Sequence, residues 1–456
     1  MDTASDLSLW FDSALLPQGW CNRVRFGLTA GRITQVSIEV DPAEGDERYA
    51  VVVPGIPNLH SHAFQRGLAG LTERRGPEGD SFWTWRELMY QFVERVRPEE
   101  FEAIAALAYA EMLESGFTHV GEFHYLHHDR GGAPFENPGE LAHRIVAAAA
   151  STGIGLTLLP TFYAHSGFGG REPQPRQARF INDRERFAAI VESCRRVVEP
   201  LRGATVGIAP HSLRAVTPDE LKWLAAEFSD TLLHIHIAEQ VREVEDCVSW
   251  SGRRPLEWLL EHAAPDDRWC LVHATHVNEA ELQEIARCGA VVGLCPVTEA
   301  NLGDGIFPAA AFLALGGRFG VGSDSNVLID AAEELRLLEY SQRLTLRGRN
   351  VLAGGPDQST GRALFERTLA GGAQALRCTS GLARGNWFDA VSLKAGQAIL
   401  SQRQRDALLD SWVFSGGQRS VDCVWRAGEK VVSGGRHIRR DAISARYRGA
   451  LKQLLA

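Results

Sequence analysis

Apolar residues along the chain change their rhythm twice. Between residues 7 and 53 they come in short runs, Leu7–Phe11, Val24–Leu28 and Ile33–Val40, with turn formers between them and no helical period. Such runs read as short strands of a small β domain. From about residue 50 to 330 strands alternate with helices. Candidate strands cover 50–56, 118–124, 155–161, 204–209, 231–237, 269–274, 290–295 and 318–323. Most are rich in Val, Ile and Leu, as strands buried on both faces are. The intervals carry helix signals. Thr217-Pro-Asp-Glu220 is a capping box with proline at the first helical position, Asn278 caps a helix that stops at Gly289, and Ala103 to Leu113 is a run of strong helix formers. Eight such units predict an α/β fold, a distorted (β/α)8 TIM-type barrel, with its chemistry at the C-terminal ends of the strands.

After 330 the pattern is helical to about Leu376, and residues 386–439 return to strand-like runs: Ala390–Leu393, Val421–Trp425 and Lys430–Val432. This segment is expected to join the N-terminal strands in one discontinuous β-sandwich domain, residues 1–50 plus 380–440. The barrel then spans 51–379, and a C-terminal helix, within 441–456, packs on the outside.

Composition narrows the function classes. Hydrophobic residues make up 45% and charged residues 23%, the balance of a globular enzyme. A net charge of -9 argues against a nucleic-acid partner. The acidic start, Met1-Asp-Thr-Ala-Ser-Asp6, is followed by no long apolar run, so neither a signal peptide nor a membrane span is expected. Eight scattered cysteines without a C-x-x-C pair read as reduced thiols of a cytoplasmic protein.

The chemistry gathers at the strand ends. His60 and His62 alternate with one residue and so share a face, about 7 Å apart along a strand. Two imidazoles so placed can hold one divalent metal, but a bare pair of this kind is more often two polar residues at a strand end. Placement of the others decides. Strand five carries His234-Ile-His236-Ile-Ala-Glu239, strand six ends in Leu271-Val-His273-Ala-Thr-His276, and strand eight ends in Gly320-Val-Gly-Ser-Asp324-Ser-Asn326. A mouth with several histidines, one carboxylate ligand and a spare glutamate suits a catalytic Zn²⁺ or Fe²⁺ with an open position. His234 lies one layer deeper on the face of His236 and reads as barrel packing. His276 lies past the strand end as a supporting group, and His127-His128-Asp129 reads as a loop.

This constellation resembles the amidohydrolase superfamily of metal-dependent hydrolases over almost the whole chain, including Thr379-Ser-Gly-Leu-Ala-Arg-Gly-Asn-Trp-Phe-Asp389, which looks like the superfamily's return into the β domain. Some members hold two metals bridged by a carbamylated lysine on strand four. No lysine lies between 1 and 221 here, so the resemblance is to the mononuclear deaminase branch. It implies His60, His62, His236 and Asp324 as ligands of one divalent metal, Zn²⁺ before Fe²⁺, with Glu239 and His273 beside the bound water and Asp324 also taking its proton.

Within that branch, His62-Ala-Phe-Gln65-Arg-Gly, Phe82-Trp-Thr-Trp-Arg86, Gly121-Glu-Phe-His-Tyr125, Pro210-His-Ser-Leu-Arg214 and Cys295-Pro-Val-Thr-Glu-Ala-Asn-Leu-Gly-Asp304 are similar to enzymes that act on a linear formamidine. The implied reaction converts N-formimidoyl-L-glutamate to N-formyl-L-glutamate and ammonia, a step of histidine degradation. Such a small-molecule substrate carries two carboxylates. Arg86, in a long loop after strand one, and Arg214, after strand four, supply guanidinium forks for them, and Gln65, Tyr125 and His211 complete the hydrogen bonds. The family also implies a homodimer. Two rivals stay open at this level: a guanine, cytosine or adenosine-type deaminase sharing every metal residue, and a non-catalytic member of the superfamily.

Overall fold

The computed structural model describes residues 7–76 and 79–456. Both ends of the chain meet in one eight-stranded sheet. Its order is Arg436–His437, Glu429–Ser433, Val421–Arg426, Ala390–Leu393, Glu47–Pro54, Leu7–Leu16, Gly19–Thr29 and Arg32–Ser37. Leu7–Leu16 runs parallel to Glu47–Pro54, whereas Ala390–Leu393 runs antiparallel to it. The alternation of these strands buries Phe11, Phe26, Phe388 and Trp425 in one aromatic cluster, with Phe11 and Trp425 edge to face at 5.8 to 6.0 Å from their neighbours.

The remaining strands are parallel and form two further sheets. One contains Ile56–Ser61, Phe117–His124, Gly155–Phe162 and Thr205–Val206, with Ala209–Pro210 also pairing to Gly155–Phe162. The other contains Leu233–Ile237, Trp269–His273, Val291–Leu294 and Arg318–Val321. Isolated parallel bridges, Ile208 to Leu233 and Ser212 to His236 along one edge and Ser61 to Asp324 along the other, connect the two sheets. Helices follow the strands, and their starts obey the sequence. The Thr217 side chain accepts the Glu220 amide at the head of Pro218–Glu227, and the Asn278 side chain accepts that of Glu281 at the head of Glu279–Cys288. Gly289 then ends the latter helix in the left-handed region, at φ 78°. The last helix, Arg440–Leu454, lies against Pro98–Ser115, tied by Arg440 to Glu111 at 2.8 Å and to Glu114 at 3.1 Å.

Two expectations are corrected. A single strand over 50–56 does not exist. Glu47–Pro54 belongs to the eight-stranded sheet and Ile56–Ser61 to the parallel one. The chain crosses between them at Gly55, whose amide bonds Asp389 O at 3.0 Å. A Cβ there would lie 2.2 Å from the Thr118 side chain, so only glycine passes. Second, Arg86 is not in a loop but in the helix Phe82–Val93. Phe82, Trp85, Met89 and Val93 recur at helical spacing, a signal hidden by the surrounding polar stretch.

Burial keeps three histidines of the parallel strands neutral, His119 and His124 on Phe117–His124 and His234 on Leu233–Ile237. His119, also beside Arg426, and His124 are pushed down to about 3, and His234 to about 4, the last partly offset by its bond to Ala375 O. The unfolded chain takes these protons near 6.5, so their stability is complete above that pH and is lost as the pH falls toward the folded values. Each contributes up to about 1.4 kcal/mol per pH unit. The melting temperature should therefore fall steeply between about pH 6.5 and 4.5, and His119→Gln should recover about 2–3 kcal/mol at the lower end. An acid slope unchanged in that variant would remove His119 from the account.

Candidate active site

The strand ends bring four of the expected residues together. One ligand atom each of His60, His62, His236 and Asp324 lies within 4.8 Å of all the others, and all four residues are buried. His60 Nε2 is 3.2 Å from His62 Nε2 and 3.0 Å from His236 Nε2, and Asp324 Oδ1 is 3.4 Å from both His60 and His62 Nε2. The backbone makes this possible. A Cβ on Gly322 would strike the His60 backbone at 2.7 Å, so glycine lets the strands approach. Asp324, like Ala238 and His273, has a left-handed backbone, at φ 44°, 51° and 68° respectively, which redirects the chain at three strand ends.

Protonation follows from the outer hydrogen bonds. His62 Nδ1 faces Phe123 O at 3.0 Å and His236 Nδ1 faces His211 O at 3.0 Å. A carbonyl only accepts, so both Nδ1 atoms carry protons and both Nε2 atoms present lone pairs to the cluster. Burial pushes His60 down to about 3 and lowers His62 and His236 as well, keeping the rings neutral. Burial opposes the Asp324 charge, but His60, His273 and His62 outweigh it and hold its carboxyl below the usual range. Neutral imidazole lone pairs and a carboxylate pointing at one another across 3 Å form a donor set that a divalent cation fits.

His273 and Glu239 flank this cluster. His273 Nε2 is 3.8 Å from both Glu239 Oε1 and Asp324 Oδ2, and its Nδ1 is 3.2 Å from Glu299 Oε1. Burial alone would lower His273, but Glu239, Glu299 and Asp324 raise it to about 10. Burial raises the Glu239 carboxyl, opposed by His273 and Arg214. Above them opens a cavity that every other expected residue lines: Gln65, Arg86, Tyr125, His211 and Arg214. Gln65 Nε2 donates to Tyr125 Oη at 3.0 Å, leaving its Oε1 without a protein partner. The Nε atoms of Arg86 and Arg214 are buried and likewise unpartnered; the nearest carboxylate to Arg214, Glu243, stands at 4.0 Å. Trp83 lies under both, 4.6 Å from the Arg86 guanidinium carbon and 5.7 Å from that of Arg214.

The other histidines fall as expected. His234 donates to Ala375 O at 2.8 Å, His276 donates to Asp304 O at 2.8 Å, and His127 and His128 sit in a loop bonded to backbone carbonyls. Sequence reasoning missed Met89 and Tyr90, which with Trp85 wall the cavity from the helix Phe82–Val93. It also missed Glu299 and Asp304, although both lie in the stretch Cys295–Asp304 that drew attention on other grounds. Asp304 is buried and takes a hydrogen bond from Gln240.

Comparison with known proteins agrees with this geometry. A family model described as Amidohydrolase family matches residues 51–431, and one described as Formimidoylglutamate deiminase HutF, N-terminal domain, matches residues 10–50. A formimidoylglutamate deiminase of Pseudomonas aeruginosa is 50% identical over 98% of this chain and 99% of its own length. An 8-oxoguanine deaminase of the same organism is 29% identical over 89% of this chain and 88% of its own. Among solved structures, an amidohydrolase from Brucella melitensis superposes with a TM-score of 0.95 at 54% identity, covering 99% of this chain and 100% of that one. A zinc-bound adenosine deaminase from Xanthomonas campestris, 20% identical, shares the fold with a TM-score of 0.81 over 99% of this chain and 98% of its own.

A cation that relieves facing lone pairs binds the folded chain far better than the unfolded one. Chelation should lower the melting temperature by at least about 5 °C, and His236→Ala should erase the difference between chelated and metal-supplemented protein. Equal melting temperatures for wild-type protein with and without chelator would contradict a cation at this cluster.

Proposed function

The chain belongs to the amidohydrolase family, and on that premise we propose that it hydrolyses N-formimidoyl-L-glutamate to N-formyl-L-glutamate and ammonia, the formimidoylglutamate deiminase step of histidine degradation. The full-length similarity to a deiminase of that name supports the reaction. The observation that carries the substrate is the pair of guanidiniums, Arg86 and Arg214. They line one cavity with buried, unpartnered Nε atoms, and a substrate with two carboxylates supplies the missing partners. A neutral nucleobase would leave both cations uncompensated.

In this reading His60, His62, His236 and Asp324 hold one divalent cation. Zn²⁺ is the ion we favour for three imidazoles and a carboxylate, and Fe²⁺ suits the same donors. When bound, it supplies the Lewis acidity that brings the pKa of a water to about 7. Arg86 and Arg214 clamp the glutamate end, with Gln65, Tyr125 and His211 on the chain between, and so set the formimidoyl carbon over the ligand cluster. Asp324 takes the first proton of the attacking water. Negative charge then grows on the oxygen beside His273 Nε2, which donates to it. The Glu239 carboxylate takes the hydroxyl proton of the tetrahedral adduct and passes it to the departing nitrogen; the C–N bond breaks, ammonia leaves, the carbonyl forms and Asp324 gives its proton back to solvent. The formamidine is itself cationic near neutral pH, so the buried Glu239 carboxylate also has a partner in the bound substrate.

The finer architecture belongs to the same reading. We take the two parallel sheets, linked by bridges along both edges, as a distorted (β/α)8 barrel over residues 51–379. The strands of 1–50 and 380–440 make a small discontinuous β-sandwich. Hydrogen bonds from Ile33 to Asn386 and from Phe388 to Gly31 support this, because they fold the far edge of the sheet back toward its middle. Exposed Ile306, Leu344 and Leu346 support a homodimer, and the eight free cysteines support a reducing, cytoplasmic setting. Among the described residues no helix is long and apolar enough to cross a membrane.

Ammonia release should be robust with N-formimidoyl-L-glutamate and absent with guanine and cytosine, measured in parallel; release from a base alone would turn the substrate reading over. Glu239→Gln should lose about 10²–10⁴-fold in kcat while keeping its metal, since only a proton donor has been removed. Near-wild-type turnover in that variant would end the role given to Glu239. Arg86→Met and Arg214→Met should each lower kcat/KM by about 10–100-fold, mainly through KM. Wild-type KM values in both would detach the guanidiniums from the carboxylates.

A further inference from the structure

Among the buried carboxyl groups that the mechanism leaves unused, Glu299 lies within hydrogen-bond reach of His273. Glu299 is buried on the short helix Pro296–Leu302, and its Oε1 is shared by two donors: His273 Nδ1 at 3.2 Å and the Cys295 amide at 2.9 Å. We propose that Glu299 is a positioning residue for His273, fixing the ring so that Nε2 stays aimed between Glu239 and Asp324. The inference rests on the reading that His273 acts on the reacting oxygen.

Three observations support it. The His273 ring is only 1% exposed, so water does not set its orientation. A half-turn of the ring about its Cβ–Cγ bond would preserve its flat contact with His236, centroids 5.6 Å apart at 14°, so stacking alone does not tell one ring edge from the other. The carboxylate of Glu299 is the feature that tells one ring edge from the other. An ionised carboxylate only accepts, so it selects a proton on Nδ1 and turns Nε2 toward Glu239 Oε1 and Asp324 Oδ2, 3.8 Å from each. The Cys295 amide in turn pins Oε1 at the start of the helix, so the orientation is inherited from the backbone and not from a mobile side chain.

A competing role is plain: Glu299 caps the helix Pro296–Leu302 through Cys295 N. The two are separated by running substitutions with and without His273, and by reading the ring directly. Glu299→Gln keeps an oxygen acceptor for both donors; Glu299→Leu keeps the volume and removes both. For positioning, kcat of the metal-loaded Leu variant falls about 10–100-fold with KM within about threefold, and the Gln variant recovers most of that loss. In a His273→Ala background, Glu299→Leu then costs no more than about twofold further. Proton–nitrogen spectra of histidine-labelled protein should show a His273 Nδ1–H resonance in wild type and Glu299→Gln, identified by its loss in His273→Ala, and missing or moved in Glu299→Leu. Equal losses with and without His273, full turnover in Glu299→Leu, or an Nδ1–H resonance absent from the wild type would overturn the proposal. Should the Leu variant fail to fold, the wild-type spectrum and Glu299→Gln still decide. Wild-type turnover in His273→Ala would instead fell the catalytic reading of His273, while the spectra still judged the contact with Glu299.

Discussion

Three neutral imidazole rings and a carboxylate meet in a buried space about 3 Å across, and most of the functional end of the molecule is arranged to make that arrangement hold. Such a cluster is repulsive on its own. Buried acceptors without donors cost free energy on the order of a few kcal/mol each, and the alternative of protonating the rings is closed by burial, which keeps His60 down to about 3. A divalent cation is the species that turns the repulsion into attraction. The rest of the site reads as the set of devices that keep the lone pairs facing one another until the cation arrives. The carbonyls of Phe123 and His211 hold the outer nitrogens protonated, Gly322 lets the strand of His60 come close, and left-handed backbone at His273 and Asp324 turns two strand ends inward.

Those devices explain which parts of the site were legible in the sequence. Alternation along a strand fixes His60 and His62 on one face, and the same rule puts His234 on the face of His236 but one layer deeper, where the structure finds it bonded to Ala375. Capping residues Thr217 and Asn278 marked their helices because the signal is local: a side-chain oxygen three residues before the amide it accepts. Hidden were features that depend on what another segment does. Gly55 divides an apolar run between two sheets only because Thr118 stands 2.2 Å from where a Cβ would be. Arg86 looked like a loop residue because the helix that carries it is amphipathic toward the cavity and flanked by polar turns. Glu299 and Asp304 carry no local pattern at all; their meaning comes from His273 and Gln240, distant in sequence.

The charge arrangement divides the cavity into two chemical halves. Around His273 the protein collects Glu239, Glu299 and Asp324, and their combined field raises that ring against the effect of burial. Toward the helix Phe82–Val93 the charges reverse, with Arg86 and Arg214 beside the cavity. A chain of net charge -9 would repel a substrate of net negative charge at long range, so in our reading attraction has to be local. Two guanidiniums in one cleft cost more to keep than one, and within hydrogen-bond reach the protein offers neither Nε a partner. In our reading that unmet demand is what selects a substrate with acids at one end and a cationic amidine at the other, since such a molecule answers both halves at once.

Trp83 shows how two like charges can stand together before the substrate binds. Its ring lies within 4.6 Å of the Arg86 guanidinium carbon, 5.7 Å of Arg214 and 4.9 Å of Arg242. An indole face attracts cations by its quadrupole, worth about 0.5–2 kcal/mol for each depending on exposure. The attraction acts on the charge of each guanidinium and supplies no oxygen acceptor, so the N–H fork that grips a carboxylate bidentately is not taken by one. A carboxylate in place of Trp83 would hold the arginines more tightly but would consume the N–H groups that, in our reading, the substrate takes. An apolar residue would leave two partly buried cations with no favourable neighbour. The aromatic residue is thus the choice that stabilises the arginines without saturating them. The same logic accounts for Glu243 standing 4.0 Å from Arg214, near enough to temper its charge and too far to take its hydrogen bond.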